Sequence, residues 1–240
     1  MRYAPDPVLA IRDVVKRFGG RTALDGLTLT LRAGEVFALL GPNGAGKTTT
    51  INLILGFLRA DTGTVRVCGI DAGAAPIAAR AAIAYIPEQV ALYPGLSGRE
   101  NLRYFTTLAG LALARDEADR LLGQAGLALE AHTRKAASYS KGMRQKVGIA
   151  IALARRARLL LLDEPTSGLD PSASADFSSV IRAAAARGTT VLMATHDLYR
   201  VKEVADRVGV LQAGRIVEEI DPARLDHAAL ERLYIERLAS

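Results

Sequence analysis

The sequence predicts an α/β fold: a mostly parallel central sheet with helices on its faces, and a helical subdomain inserted into it. Two short apolar runs, Glu35–Leu40 and Leu159–Leu162, read as strands buried on both faces. Patterns of helical period alternate with such runs along the chain. From about Ser97 to Ala157 the strand patterns vanish, and three helical stripes follow one another.

Taken in order, Val8–Val15 and Leu27–Leu31 alternate or cluster as strands do, and Glu35–Leu40 ends in glycine. A helix then places Ile51, Ile54, Leu55 and Leu58 on one side. Thr64–Cys68 is a further strand, closed by Gly69, and the strand character ends after Ile83–Pro87. Leu102, Phe105 and Leu108 form the first helical stripe of the insert. Ala118, Leu121, Leu122 and Ala125 form the second, and Val147, Ala150, Ile151 and Ala154 the third. Strands return at Leu159–Leu162, Thr190–Ala194, Val208–Leu211 and Ile216–Glu219, and a polar-faced helix from about Pro222 closes the chain. The expected division is an α/β core of residues 1–87 and 158–220, a helical subdomain of 88–157 and a C-terminal helix of 221–240.

The composition narrows the function classes. Of 240 residues, 50% are hydrophobic and 23% charged, enough for a sizeable core and against disorder. A lone Cys68 excludes a disulfide framework or a cysteine zinc site, and three scattered histidines argue against an all-His metal site. The longest apolar run, Val147–Ala154, stops at Arg155, well short of the about 18 residues a membrane span needs. Met1–Pro7 has no apolar leader region, so the chain is expected in the cytosol unless a partner holds it at a membrane. The net charge of +6 is shared evenly by the two halves, and Arg155-Arg156-Ala157-Arg158 is the only dense basic cluster. This reads as a mildly basic surface, and no nucleic-acid partner is expected.

Gly41-Pro42-Asn43-Gly44-Ala45-Gly46-Lys47-Thr48 matches G-x-x-x-x-G-K-[ST] between a buried strand and a helix. Its glycines let successive N–H groups converge on phosphate oxygens, and the helix N-terminus adds positive potential. Lys47 can reach the β- and γ-phosphates, and the Thr48 hydroxyl can ligate Mg²⁺. A metal-holding carboxylate is supplied by Asp163, which the leucine strand carries to the carboxyl edge of the sheet. Glu164 follows at once and can polarise a water towards the γ-phosphate.

Three further segments narrow this nucleotide site to one family. Tyr139-Ser140-Lys141-Gly142-Met143-Arg144-Gln145-Lys146 resembles the signature motif of ATP-binding-cassette (ABC) ATPases. Ser167-Gly168-Leu169-Asp170 resembles their D-loop, and Ala194-Thr195-His196-Asp197 their switch-histidine segment, all in the family's order. The resemblance covers essentially the whole chain. It implies a P-loop NTPase core with an N-terminal antiparallel β region, ATP and Mg²⁺ as ligands, and phosphoryl transfer to water.

By the same resemblance, Phe18 would stack on adenine, and Gly41 to Thr48 with Thr49 would wrap the phosphates. Asp163 would hold the metal, Glu164 would be the general base, and His196 would contact the γ-phosphate. Asp170 would couple two sites across a head-to-tail dimer, formed with a second copy or a paralogous ATPase. Ser140 and Gly142 would reach the partner's ATP, and Ser140 stands where a helix N-cap belongs. The signature departs from the commonest Leu-Ser-Gly-Gly-Gln at Tyr139, Lys141 and Met143. Where the family places Gln after a strand and proline, this chain has Glu88 and then Gln89. Either Glu88 takes the metal-facing place, the reading favoured, or the register slips by one.

Tyr93-Pro94-Gly95-Leu96-Ser97-Gly98-Arg99-Glu100-Asn101-Leu102, with the Tyr-Ser-Lys-Gly-Met signature, resembles ATPases of bacterial drug, antibiotic and polysaccharide exporters. That likeness implies a separate integral-membrane permease docked on the surface between Glu88 and Leu102, and a peripheral place on the cytoplasmic face of the inner membrane. The alternative is a soluble ABC ATPase in a process such as iron–sulfur cluster assembly.

Overall fold

A computed structural model of the chain describes residues 6–239. The leader reading falls largely on residues 1–5, which lie outside the described residues, as does the last residue of the predicted C-terminal helix. Ten strands and eight α-helices follow in order among the described residues. They are β1 (Leu9–Phe18), β2 (Arg21–Leu31), β3 (Val36–Leu40), α1 (Lys47–Ile54), β4 (Thr62–Val67), β5 (Ile70–Asp71), α2 (Pro76–Ala81) and β6 (Ile83–Ile86). Then come α3 (Gly98–Leu108), α4 (Arg115–Gln124), α5 (Lys141–Ala154), β7 (Leu159–Asp163), α6 (Pro171–Ala186), β8 (Thr190–Thr195), α7 (Leu198–Val204), β9 (Arg207–Gln212), β10 (Arg215–Ile220) and α8 (His227–Ala239).

Two sheets organise these elements. An antiparallel sheet runs β2-β1-β4-β5, and a six-stranded sheet runs β10-β9-β3-β8-β7-β6. In the larger sheet β9, β3, β8, β7 and β6 pair in parallel, and only β10 is antiparallel. The fold is therefore the α/β class expected, with its antiparallel N-terminal region.

The strict period of a strand explains the layers. In β3, Phe37 and Leu39 face one core while Val36, Ala38 and Leu40 face another. In β7, Leu159 and Leu161 face the first core and Leu160 and Leu162 the second. The first is filled by the antiparallel sheet and by Ile51 and Ile54 of α1. The second is filled by α3 to α7, through residues such as Leu102, Leu122, Ile149 and Phe177. Burial on both faces is why these strands carry no polar alternation.

Three expectations need correction. The first helix does not reach Leu58: α1 ends at Ile54, and Gly56 follows with φ +66°, which closes the helix. Leu58 still packs against the same core from the loop. In α3 the buried positions are Gly98, Asn101, Leu102 and Thr106, whereas Leu108 is 69% exposed. The Asn101 amide accounts for that shift, because it donates to the Tyr93, Leu96 and Ser97 carbonyls and pins the inner face there. The last helix starts at His227 rather than Pro222. Pro222–Arg224 is a separate 3₁₀ turn capped by the Asp221 carboxylate, and Asp226 then accepts from Ala229 N–H to start α8.

Candidate active site

The loop from Gly41 to Gly46 leaves the carboxyl end of β3 and enters α1. Gly44 and Gly46 have φ of +83° and +116°, which L side chains rarely adopt, and Gly46 caps the helix. Gly41 is needed for a different reason: a Cβ there would overlap the Leu211 carbonyl oxygen of β9. The first turn of α1 holds no acidic residue, so its positive end is left uncompensated. Lys47 is buried there, and its Nζ donates to the Gly41 carbonyl at 2.6 Å and the Pro42 carbonyl at 3.3 Å.

Asp163 ends β7 at the same edge of the sheet, paired with Ala194 of β8. Burial first, and then the negative charge of Glu164, raise its carboxyl above the ordinary range, while Lys47 and Tyr85 pull the other way. The Tyr85 hydroxyl lies 3.5 Å from Asp163, and burial with that negative charge pushes the phenol up to about 12. Glu164 has φ +45°, a strained conformation for a residue with a Cβ, of the kind that costs about 1–3 kcal/mol. The turn aims its carboxylate between Lys47 and His196. Oε1 is 3.3 Å from Lys47 Nζ, and Oε2 is 2.9 Å from His196 Nδ1. The Thr195 hydroxyl also donates to Oε2 at 3.2 Å.

These groups line a cleft of about 480 Å³. Phe18, Pro42, Asn43, Gly44, Gly46, Lys47, Thr48, Thr49, Glu88, Asp163 and Glu164 all reach it. Gly41 and Ala45 do not; they are buried behind the loop, where Ala45 N–H donates to the Pro42 carbonyl. Of the two residues after Pro87, Glu88 lines the cleft and Gln89 does not. Glu88 accepts from the Ser167 hydroxyl at 3.0 Å and faces Lys141 at 3.5 Å. Phe18 stands 46% exposed at the rim, at the end of β1. His196 opens onto a neighbouring cleft with Thr166 and Gly168.

The remaining predicted residues do not line this cleft but lie close to one another. Ser140 caps α5 by accepting from Met143 N–H at 3.3 Å. Asp170 caps α6 by accepting from Ala173 N–H at 2.9 Å. Gly142 is buried between them, where a Cβ would sit 3.5 Å from Leu169 and 3.6 Å from Ala173.

Three residues escaped sequence reasoning. Arg21 lines the cleft and lies 3.5 Å from the Gly44 carbonyl. It pairs with Phe18 across the β1–β2 turn, and that hairpin is the signal that could have found it. Tyr85 reaches Asp163 from the adjacent strand. Gln145 is fully buried on α5, and its Nε2 donates to the Pro165 carbonyl, next to Glu164. Its Oε1 has no partner among the described residues.

Thr48, Asp163 and Glu88 all reach this cleft and carry the hard oxygen ligands that a divalent cation takes, although no group of three or more His, Cys, Asp or Glu placed to hold a metal ion is found among the described residues.

Comparison with known proteins agrees on one family. A family model described as ABC transporter matches residues 24–167. The daunorubicin/doxorubicin resistance ATP-binding protein DrrA of Streptomyces peucetius is 39% identical, over all of this chain and 77% of its own length. The Nod factor export ATP-binding protein I of Paraburkholderia xenovorans is 37% identical, over 92% of this chain and 73% of its own. Among solved structures, an ATP binding subunit of an ABC transporter superposes with a TM-score of 0.82 at 32% identity, over 97% of this chain and all of that one. The dimeric post-hydrolysis state of the cassette MJ0796, bound to ADP and Pi, superposes with a TM-score of 0.77 at 26% identity, over 89% and 98%.

Proposed function

The chain belongs to the ABC transporter family of ATP-binding proteins, and from that membership we propose that it binds and hydrolyses ATP to drive a separate membrane permease, in an exporter. The observation that carries the catalytic half is the placement of Glu164 between Lys47 and His196 at the mouth of a phosphate-loop cleft.

In this reading the loop N–H groups and the α1 terminus bind the phosphates, and Lys47 turns from the Gly41 and Pro42 carbonyls to the β- and γ-phosphate oxygens. That move releases Glu164 Oε1 to accept a proton from the attacking water, while His196 keeps Oε2 oriented. Thr48, Asp163 and Glu88 would hold Mg²⁺, which when bound offsets negative charge on the phosphates. Phe18 stacks on the base at the rim, and Arg21 adds a cation beside Gly44. Ser140, Gly142 and Asp170 serve a second ATPase subunit in a head-to-tail dimer, a role supported by their absence from the lining of this cleft.

The permease reading rests on exposed aromatics. Tyr93 and Tyr104 are 48% and 38% exposed, stacked edge to face with centroids 4.7 Å apart, and Leu108 lies on the same helix. Such a patch fits the partner surface read between Glu88 and Leu102, extended along α3. The direction, export, follows the names of the daunorubicin/doxorubicin resistance and Nod factor export relatives. The chain would then sit on the cytoplasmic face of the membrane beside its permease, with residues 88–157 as the helical subdomain between that partner and the core.

The test is Glu164→Gln. The variant should retain ATP while losing at least 100-fold in turnover, as removal of a general base does. Tagged and loaded with ATP, it should recover a multi-span membrane protein from gently solubilised membranes of its source. Hydrolysis at the wild-type rate would sink the base assignment, and recovery of cytosolic proteins alone would sink the permease reading.

A further inference from the structure

The dense basic cluster noted in the sequence takes no part in the chemistry above. Arg156 and Arg158 lie in the turn between α5 and β7, at the end of β7 opposite Asp163. Five residues of strand, roughly 16 Å, separate Arg158 from Asp163. Together with Arg120 of α4 and Arg187, which follows α6, they line a groove of about 430 Å³, close in size to the nucleotide cleft. Gln124 and Thr189 add neutral donors, and no carboxylate lines the groove. Its floor is apolar, with Leu121, Ile149 and Leu160.

Arg156, Arg158 and Arg187 form no ion pair among the described residues, and Arg120 has only a 3.8 Å contact with Glu117. Three helix C-termini, those of α4, α5 and α6, end around the groove. Each brings about half a negative charge, so together they offset roughly 1.5 of the four positive charges. Arg156 also holds φ +50° just past the end of α5, a position where glycine is the usual and less strained residue.

We propose that this groove is a second anion site, which takes a compact oligophosphate of mononucleotide size. Four exposed arginines lining one groove match a ligand with several phosphate oxygens, which guanidinium forks can grip in pairs. The apolar floor accepts the ring end of such a molecule, and the volume lies in the range of small-ligand pockets. A nucleic acid would instead need basic residues along a stripe. A ligand here would tie α4 and α5 to α6 and β7, and so join the helical region to the sheet from the end opposite the catalytic carboxylates.

The test is calorimetric titration of the Lys47→Ala protein, whose phosphate loop is disabled, with sodium tripolyphosphate at about 150 mM salt. One site per chain is expected. Adding Arg156→Ala and Arg187→Ala should weaken it at least tenfold, while thermal unfolding in the absence of tripolyphosphate stays within a few degrees of the parent. The pair Arg156→Lys and Arg187→Lys, which keeps the charge, should lose less. Parallel arms use phosphatidylglycerol vesicles and oligothymidylate. No binding of tripolyphosphate, or binding indifferent to the arginine changes, overturns the proposal. Arginine-dependent binding of vesicles or oligothymidylate without tripolyphosphate binding also overturns it, in favour of a membrane or a nucleic acid.

Discussion

Replacing Asp119 by Asn should unfasten the helical region without touching the nucleotide cleft. Asp119 on α4 receives two hydrogen bonds from the Arg99 guanidinium of α3, at 2.7 and 2.9 Å. It also faces His132 Nδ1 at 3.0 Å, and the His132 ring is 2% exposed with its Nε2 3.1 Å from the Leu127 carbonyl. One carboxylate thus joins two helices and the loop after them. Asn keeps the shape and one acceptor oxygen but turns an NH₂ towards donors, so at least one charge-assisted bond is lost at about 1.5–3 kcal/mol. Stranding part of the half-buried Arg99 guanidinium adds to that, and the 24% exposure of Asp119 lets water recover some of it. A net loss of about 3 kcal/mol follows, or roughly 6–12 °C in Tm for a chain of this size.

The sign with pH gives an internal control. The Arg99 hydrogen bonds first, and then His132, hold the Asp119 carboxyl below its ordinary value. A depressed carboxyl stabilises the fold above its unfolded pKa, about 4, and that contribution fades as pH falls through the folded value. Thermal unfolding followed by circular dichroism should therefore show a wide gap between wild type and variant at pH 7, narrowing as the pH drops below about 4. A gap under 2 °C at neutral pH, or one that does not narrow in acid, would refute this account of the clasp.

Three other outcomes follow from the geometry. Lys47→Met keeps the stem and removes the buried ammonium, so ADP should bind 10- to 100-fold more weakly, the equivalent of about 1.5–3 kcal/mol; a dissociation constant within threefold of wild type in a fluorescent-nucleotide titration would contradict it. Ser97→Ala opens the box in which Ser97 accepts from Glu100 N–H at 3.3 Å and donates its own N–H to Glu100 at 2.7 Å, and urea unfolding should lose about 1 kcal/mol. Glu100, held down to about 2 chiefly by that Ser97 N–H, should keep its half of the box in mild acid. Gly209→Ala would set a Cβ 2.7 Å from the ring of fully buried Phe37, an overpacking of about 1–3 kcal/mol; an unchanged Tm would mean that β9 can move away.

What could be read in the sequence was what local patterns encode. Four leucines before Asp163 can only be a strand covered on both sides, and the glycines before Lys47 can only be a tight loop, so the sheet class and the phosphate loop were visible. Helix α6 has its own local signal, since Asp170-Pro171 is an N-cap followed by proline at the first helical position. Leu108 misled because a stripe shows which residues share a side of a helix, not which side is covered. Tyr85 left no local signal, Arg21 only its place across the β1–β2 turn from Phe18, and Gln145 only its place within the Tyr139–Lys146 segment. Each earns its place through a neighbour far along the chain, and Gln145 meets Pro165 only after α5 and β7 have packed.

The strand order carries a consequence for the birth of the protein. β3, which leads into the phosphate loop, is hydrogen-bonded on one side by β8 and on the other by β9, both drawn from residues 190–212. During synthesis at about 5–20 residues per second, some 150 residues must follow β3 before either neighbour exists, a delay of roughly 8–30 s. Throughout that interval Val36–Leu40 has two open edges and two apolar faces, which makes it the part of the nascent chain most in need of shelter. A polypeptide released at residue 189 would contain every residue of the phosphate loop and neither of the strands that hold it in place.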